Sequence, residues 1–178
     1  MSLKYAILGA LVERPSTGYE ITKRMDGSIG FFWGASHQQV YRELAVLDEE
    51  SLVAFQEEAQ EGKPDKKIYS LTKKGMQELK AWIASPLEES RAKDSFLLKI
   101  FCGHLIAPDV LRAEVLLHQR AHQQRYSEYQ KIERENFSDP DQLSKRGQFQ
   151  YLALRRGLIY EKGWLSWCRE VLTLIEDQ

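Results

Sequence analysis

The chain is poor in several things that would place it quickly. Of its 178 residues only two are cysteine, Cys102 and Cys168, far apart and with no Cys or His beside them at zinc-ligand spacing. Two cysteines do not make a disulfide scaffold, and a reducing, cytoplasmic home is expected. A surplus of either charge is missing too: 25 Lys+Arg face 26 Asp+Glu, a formal net charge of -1. The balance persists within the chain, 11 against 12 as far as Ala84 and 14 against 14 after it. Any electrostatic footprint on a partner must therefore be local. No run approaches the roughly 18 consecutive apolar residues of a membrane span. The opening MSLKYAILGALVERPSTGYE has no small-residue cleavage pattern, so no secretory leader is read there. Internal repeats and low-complexity tracts are also lacking.

What is present is a 43% hydrophobic, 11% aromatic composition, enough for one ordinary domain or two small ones with apolar cores. Leu3, Ile7, Leu8 and Leu11 have helical spacing, and Arg14-Pro15-Ser16-Thr17-Gly18 reads as a turn. Tyr19, Ile21 and Met25 suggest a second short helix ending near Gly27 or Gly30. Tyr19, Phe31, Phe32 and Trp33 are read as core. A third helix follows, with Ser36 as its N-cap and Val40, Leu44 and Leu47 on one face. Leu52–Phe55 and Lys67–Leu71 look like paired strands around the turn Glu61-Gly62-Lys63-Pro64-Asp65-Lys66. Thr72 caps a fourth helix that ends at Ser85-Pro86.

Residues 1–85 thus form one unit, and the polar, proline-headed PLEESRA marks a boundary. Residues 86–178 read as helical: Asp94 to Ile106, a long helix opened by Pro108, a turn at Asn136 to Pro140, and a last helix from Asp141 to Ile175. Helices of some 30 residues span on the order of 45 Å at 1.5 Å per residue, and one such pair has little core of its own. The last helix carries more than one apolar stripe. A second copy of the chain is the simplest cover for it, with Leu152, Leu158, Ile159, Trp164, Leu165, Trp167 and Leu172 as the dimerisation residues.

Two enzyme-like signals are set aside. His118 and His122 stand one helical turn apart, as zinc ligands do, but Gln119 occupies the place where a metalloprotease needs its glutamate base, and no third ligand is evident. Exposed histidines on a polar helix face are the simpler reading. Cys102 and Cys168 lie on apolar helices, where thiols are normally inert. No catalytic residue, metal or cofactor is expected.

The order helix, helix, helix, strand, turn, strand, helix is that of a winged helix-turn-helix. The words LKYAILGAL (from Leu3), GYEI (from Gly18), QVYREL (from Gln39) and YSLTKKG (from Tyr69) resemble the PadR family of bacterial transcriptional regulators. SIGFFW from Ser28, ASHQQVYREL from Ala35 and QEGKPD from Gln60 are similar to its AphA-like branch. The resemblance implies a mainly α fold, with an N-terminal winged helix-turn-helix carrying a small two-stranded wing and a C-terminal long-helix dimerisation domain. It also implies a homodimer on an inverted-repeat operator in double-stranded DNA. Where the family usually ends the recognition helix with Glu-Gly, this chain has Glu50-Ser51, and a left-handed residue there is strained by about 1 kcal/mol without glycine.

Within that frame the exposed face of the third helix acquires roles. Arg42 can pair with the O6 and N7 of guanine, and Gln38 and Gln39 with adenine, in the major groove. Ser36, His37 and Tyr41, at the helix start or on its flank, suit phosphate oxygens. Lys63, Lys66 and Lys67 supply the local positive charge, and the resemblance sets this wing against the DNA backbone or minor groove. A winged helix used only as a protein-interaction module is the alternative. The aromatic C-terminal half (Tyr126, Tyr129, Phe137, Tyr151, Tyr160, Trp164, Trp167) leaves room for a small aromatic effector, although packing in the dimer core explains the same rings.

Overall fold

The computed structural model describes residues 3–24, 34–59, 66–87 and 94–176. The end of the second helix, the packing of Phe31, Phe32 and Trp33, and the wing turn with Lys63 lie outside the described residues. The chain divides into two compact units, Met1–Glu88 and Glu89–Gln178.

The first unit runs α1 (Leu3–Leu11), β1 (Ser16–Thr17), α2 (Gly18–Arg24), α3 (His37–Glu49), β2 (Val53–Glu58), β3 (Lys66–Leu71) and α4 (Lys73–Ala84). Apolar residues at helical spacing put Ile7, Leu8, Leu11, Ile21, Val40, Leu44, Leu47 and Leu79 into one core with Leu52, Val53 and Tyr69. Thr72 caps α4 by accepting from Gly75 N–H at 3.0 Å, as its place in the sequence implies. The sheet is antiparallel in the order β1-β3-β2 and has three strands where the sequence suggested two. Ser16 and Thr17, read as turn, are buried and pair with Tyr69 and Ile68 of β3. A two-residue strand has no alternation to detect; the edge of β3 makes it a strand.

The exit from α3 shows why the missing glycine matters. Ser51 N–H donates to Asp48 O and Leu52 N–H to Leu47 O, both at 2.8 Å, the paired bonds of a Schellman turn. That turn needs a left-handed residue at its first position past the cap, and Ser51 takes φ 58°. The buried pair Leu47 and Leu52 holds the turn closed. Ser51→Gly is therefore expected to raise stability by about 1 kcal/mol, read as a higher thermal midpoint; an unchanged or lower midpoint would show that the turn carries no strain.

The second unit comprises α5 (Ser95–Phe101), a 3-10 turn (Gly103–Leu105), α6 (Pro108–Asn136), a second 3-10 turn (Pro140–Gln142) and α7 (Lys145–Glu176). Asp94 caps α5 by accepting from Phe96 and Leu97 N–H, and Pro108 opens α6. Phe96, Val115, Cys168 and Val171 form a core, with Trp164 and Trp167 packed against it.

One expectation fails in this unit. His122 is not on an exposed polar face: it is 5% exposed, stacked on Trp164 with ring centroids 4.4 Å apart, and its Nδ1 lies 2.5 Å from Oε2 of Glu161. Glu161, itself 3% exposed, takes Arg125 Nε on its other oxygen at 3.2 Å. Periodicity could not reveal this, because the partner that makes His122 buriable sits 39 residues away on α7.

Candidate nucleic-acid interface

Helix α3 has two opposed faces. Val40, Leu44 and Leu47 are wholly buried, while Gln38, Arg42 and most of the first turn are exposed. Ser36, in an extended conformation, accepts from Gln39 N–H at 3.3 Å. In return Gln39 Oε1 accepts from Ser36 N–H at 2.8 Å, which completes a capping box. Ser36 keeps its O–H as a donor. The carbonyl that Gln39 needs to read adenine in the usual two-bond manner is turned back to the helix start.

Tyr41 is held by α2. Its ring lies over Gly18, where an added Cβ would come within 2.6 Å of Tyr41 Cε1, so glycine is what lets the ring pass. Tyr19, read from sequence as core, is 60% exposed, and its ring centroid is 6.4 Å from that of His37. Thr17 and Glu20 explain its place. Thr17 N–H donates to Glu20 Oε2 at 2.8 Å and Glu20 N–H to Thr17 Oγ1 at 3.2 Å, a second capping box. The backbone bond from Thr17, then its hydroxyl, hold the Glu20 carboxyl below the usual carboxylate range. With Ile21 and Thr22 taking the buried places of α2, Tyr19 faces out in the first turn. Thr-x-x-Glu was the sequence signal for this; aromatic bulk was the wrong one.

The wing lysines are less free than their number suggests. Glu58 stands opposite Lys66 and Glu57 opposite Lys67 across the β2–β3 ladder. Lys67 Nζ lies 3.7 Å from Glu57 and 4.0 Å from the centre of the Phe55 ring.

In the second unit the residues expected to dimerise divide by burial. Leu158 and Leu165 are closed within the chain's own α6–α7 pair, because α7 turns that stripe toward α6. Trp164, Trp167 and Leu172 are half-buried against the local core. Leu152 and Ile159 are 62% and 60% exposed. Among the described residues no cluster of metal ligands exists. Burial pushes the Cys168 thiol up, away from the reactive thiolate form.

Two family models cover these two units: a transcriptional regulator PadR-like family over residues 7–81 and a virulence activator alpha C-terminal family over 92–176. The negative transcriptional regulator PadR of Bacillus subtilis is 34% identical, across 98% of this chain and 97% of its own. The chain belongs to the PadR family of transcriptional regulators. Among solved structures, the Vibrio cholerae virulence activator AphA superposes with a TM-score of 0.82 at 34% identity, over 99% of each chain. Bacillus subtilis PadR in complex with operator DNA gives 0.80 at 33% identity, over 98% of this chain and 99% of its own. The same PadR has been solved with p-coumaric acid, at 29% identity, a TM-score of 0.76 and coverage of 99% and 96%. These PadR-family relatives are regulators and not enzymes, and no helix among the described residues is long and apolar enough to cross a membrane.

Proposed function

We propose that this PadR-family regulator is a cytoplasmic homodimer that binds an inverted-repeat operator, laying α3 of each copy in a major groove. The observation that carries the reading is the division of α3: one face wholly buried, the other offering Gln38 and Arg42 to solvent. A relative solved on operator DNA supports it. Arg42 and Gln38, pointing away from the buried face, read base edges. Ser36, His37, Tyr41 and Tyr19, gathered where α2 and α3 begin, seat the helix on phosphates, joined by Lys66 and by Lys67, which exchanges Glu57 for phosphate. Lys63 is assigned to the same wing contact.

Dimerisation is assigned to the second unit. Leu152 and Ile159 stand two turns apart on α7, with Phe149 exposed one turn before, and Leu98, Phe101 and Leu105 are exposed on and after α5. A second copy covers such stripes. Its geometry holds the two recognition helices one DNA turn apart, about 34 to 36 Å, or a multiple of that. A small phenolic acid is the effector class supported by a relative solved with p-coumaric acid. Within each chain Phe96, His118, Trp164 and Trp167 already pack on one another, which favours ring packing over an open pocket there.

The test is binding to duplexes from the promoter regions of the protein's own and neighbouring genes. Two chains are expected per inverted repeat, with log affinity falling linearly in log salt. Arg42→Ala should relax preference at one base pair of each half-site by about 1 to 3 kcal/mol, while Lys67→Ala weakens all sequences alike. Salt-insensitive binding, or binding to no duplex, would overturn the reading. Identical profiles for the two variants would overturn the division of labour.

A further inference from the structure

The protein itself orients the amide of Gln39. Ser36 N–H approaches one terminal atom of that side chain at 2.8 Å, and because a backbone N–H can only donate, that atom is the carbonyl oxygen. The reciprocal bond from Gln39 N–H to Ser36 Oγ, at 3.3 Å, closes the box, so the amide is held before any partner arrives. Reading adenine uses both ends of a glutamine, the oxygen accepting from N6 and the nitrogen donating to N7. Here the oxygen is drawn toward the helix start. Nε2, with its two N–H groups, is the end left to a partner.

Position points the same way. Val40, Leu44 and Leu47 mark the buried side of α3. At about 100° per residue, Gln38 and Arg42 lie nearly opposite that side, whereas Gln39 lies on the flank. A helix in the major groove turns its outer face to the base edges and its flanks to the sugar-phosphate walls.

We propose that Gln39 is a positioning residue of the DNA interface: its Nε2 donates to a backbone phosphate oxygen, and base reading is left to Gln38 and Arg42. The assignment rests on the DNA-binding reading above. It makes one residue serve both the start of the recognition helix and its seating, with the donor already ordered when DNA arrives.

Two variants separate the possibilities, measured on the full chain against the operator and a panel of duplexes carrying each single base-pair change in a half-site. Gln39→Glu keeps an acceptor for Ser36 N–H and suits the first turn of a helix, so its thermal midpoint should hold or rise. It loses both donors and turns a negative charge toward phosphate, so affinity should fall roughly tenfold or more, by the same factor on every duplex. Gln39→Ala should weaken all duplexes about three- to tenfold, again uniformly. A changed preference at one base pair overturns the assignment, most plainly a gain of cytosine by Gln39→Glu, since a carboxylate accepts from its N4 amine. So does unchanged affinity in both variants. If the parent protein binds no duplex, the DNA-binding reading itself is at fault; if Arg42→Ala relaxes one position and the Gln39 variants relax another, only the Gln39 assignment is.

Discussion

Gly75→Ala is expected to lower the thermal midpoint of the winged-helix unit by more than ten degrees. Gly75 sits in the first turn of α4, directly beneath the point where the chain leaves α3. A Cβ built there falls 2.1 Å from the carbonyl oxygen of Leu52 and 2.8 Å from Leu71 Cδ1. The leucine tip can swing aside. The carbonyl cannot, because it accepts from Thr72 N–H at 3.1 Å and shares the single Thr72 hydroxyl proton, at 3.0 Å, with Ser51 O at 2.9 Å, and Thr72 in turn caps α4. Relief requires moving backbone at the end of α3, at the start of β2 or at the start of α4. Overpacking of this kind costs about 1 to 3 kcal/mol, and more where backbone must yield. At roughly 4 to 8 degrees per kcal/mol for a unit of this size, the upper end of that range gives the stated fall. Gly9 provides the control: nothing lies within 4 Å of its added Cβ, and it lies inside α1, in the last turn of that helix. Gly9→Ala should raise the midpoint slightly, by the roughly 0.5 to 1 kcal/mol that alanine gains over glycine in a helix. A Gly75→Ala protein that melts within a few degrees of the parent would show that the Leu52 junction is not rigid.

Glu161→Ala should destabilise the second unit by about 1 to 3 kcal/mol, the range found when a buried polar group is left without its hydrogen-bond partner. Among the described residues Glu161 is the only carboxylate bonded to His122. Its two oxygens face His122 Nδ1 and Arg125 Nε. A carboxylate only accepts, so the single Nδ1–H of His122 belongs to Glu161. The nearby Arg125 nitrogen, 3.0 Å from the same Nδ1, is then a close contact and not a second hydrogen bond. Arg125 is 44% exposed at its side chain and can turn to water when Glu161 is lost. His122 cannot, being shut between α6 and Trp164 on α7. The penalty is therefore mainly that of an unpaired imidazole. It follows that His122→Phe combined with Glu161→Leu, which keeps a ring on Trp164 and removes both polar groups, should recover most of the loss. Denaturant unfolding followed by tryptophan fluorescence would read both. A double variant as unstable as Glu161→Ala alone would mean that the pair acts through something other than mutual satisfaction.

Much of this protein is legible in one dimension because the relevant physics is local. Ser36 and Thr72 are helix caps in the sequence and in the structure, and Pro108 opens a helix in both, since each acts on backbone groups within a turn of itself. The buried stripe Val40, Leu44 and Leu47 follows from a 3.6-residue period, and the polar face opposite follows with it. Even the strain at Ser51 could be anticipated, because a helix that ends in a tight turn needs a left-handed residue at a known place.

Other features depended on partners distant in the chain. Ser16 and Thr17 became a strand only because β3 offered an edge. Tyr19 looked like core by its size, but its place in the first turn of α2 put it outside beside His37. His122 looked exposed by its polarity, yet Glu161 made its burial affordable. Leu158 and Leu165 could not be told from Leu152 and Ile159 until α6 covered one stripe of α7 and left the other. Capping, periodicity and turn chemistry are set by neighbours within a few residues, and these the sequence determined. Burial and pairing depend on which atoms meet in space, and only the tertiary structure decided them.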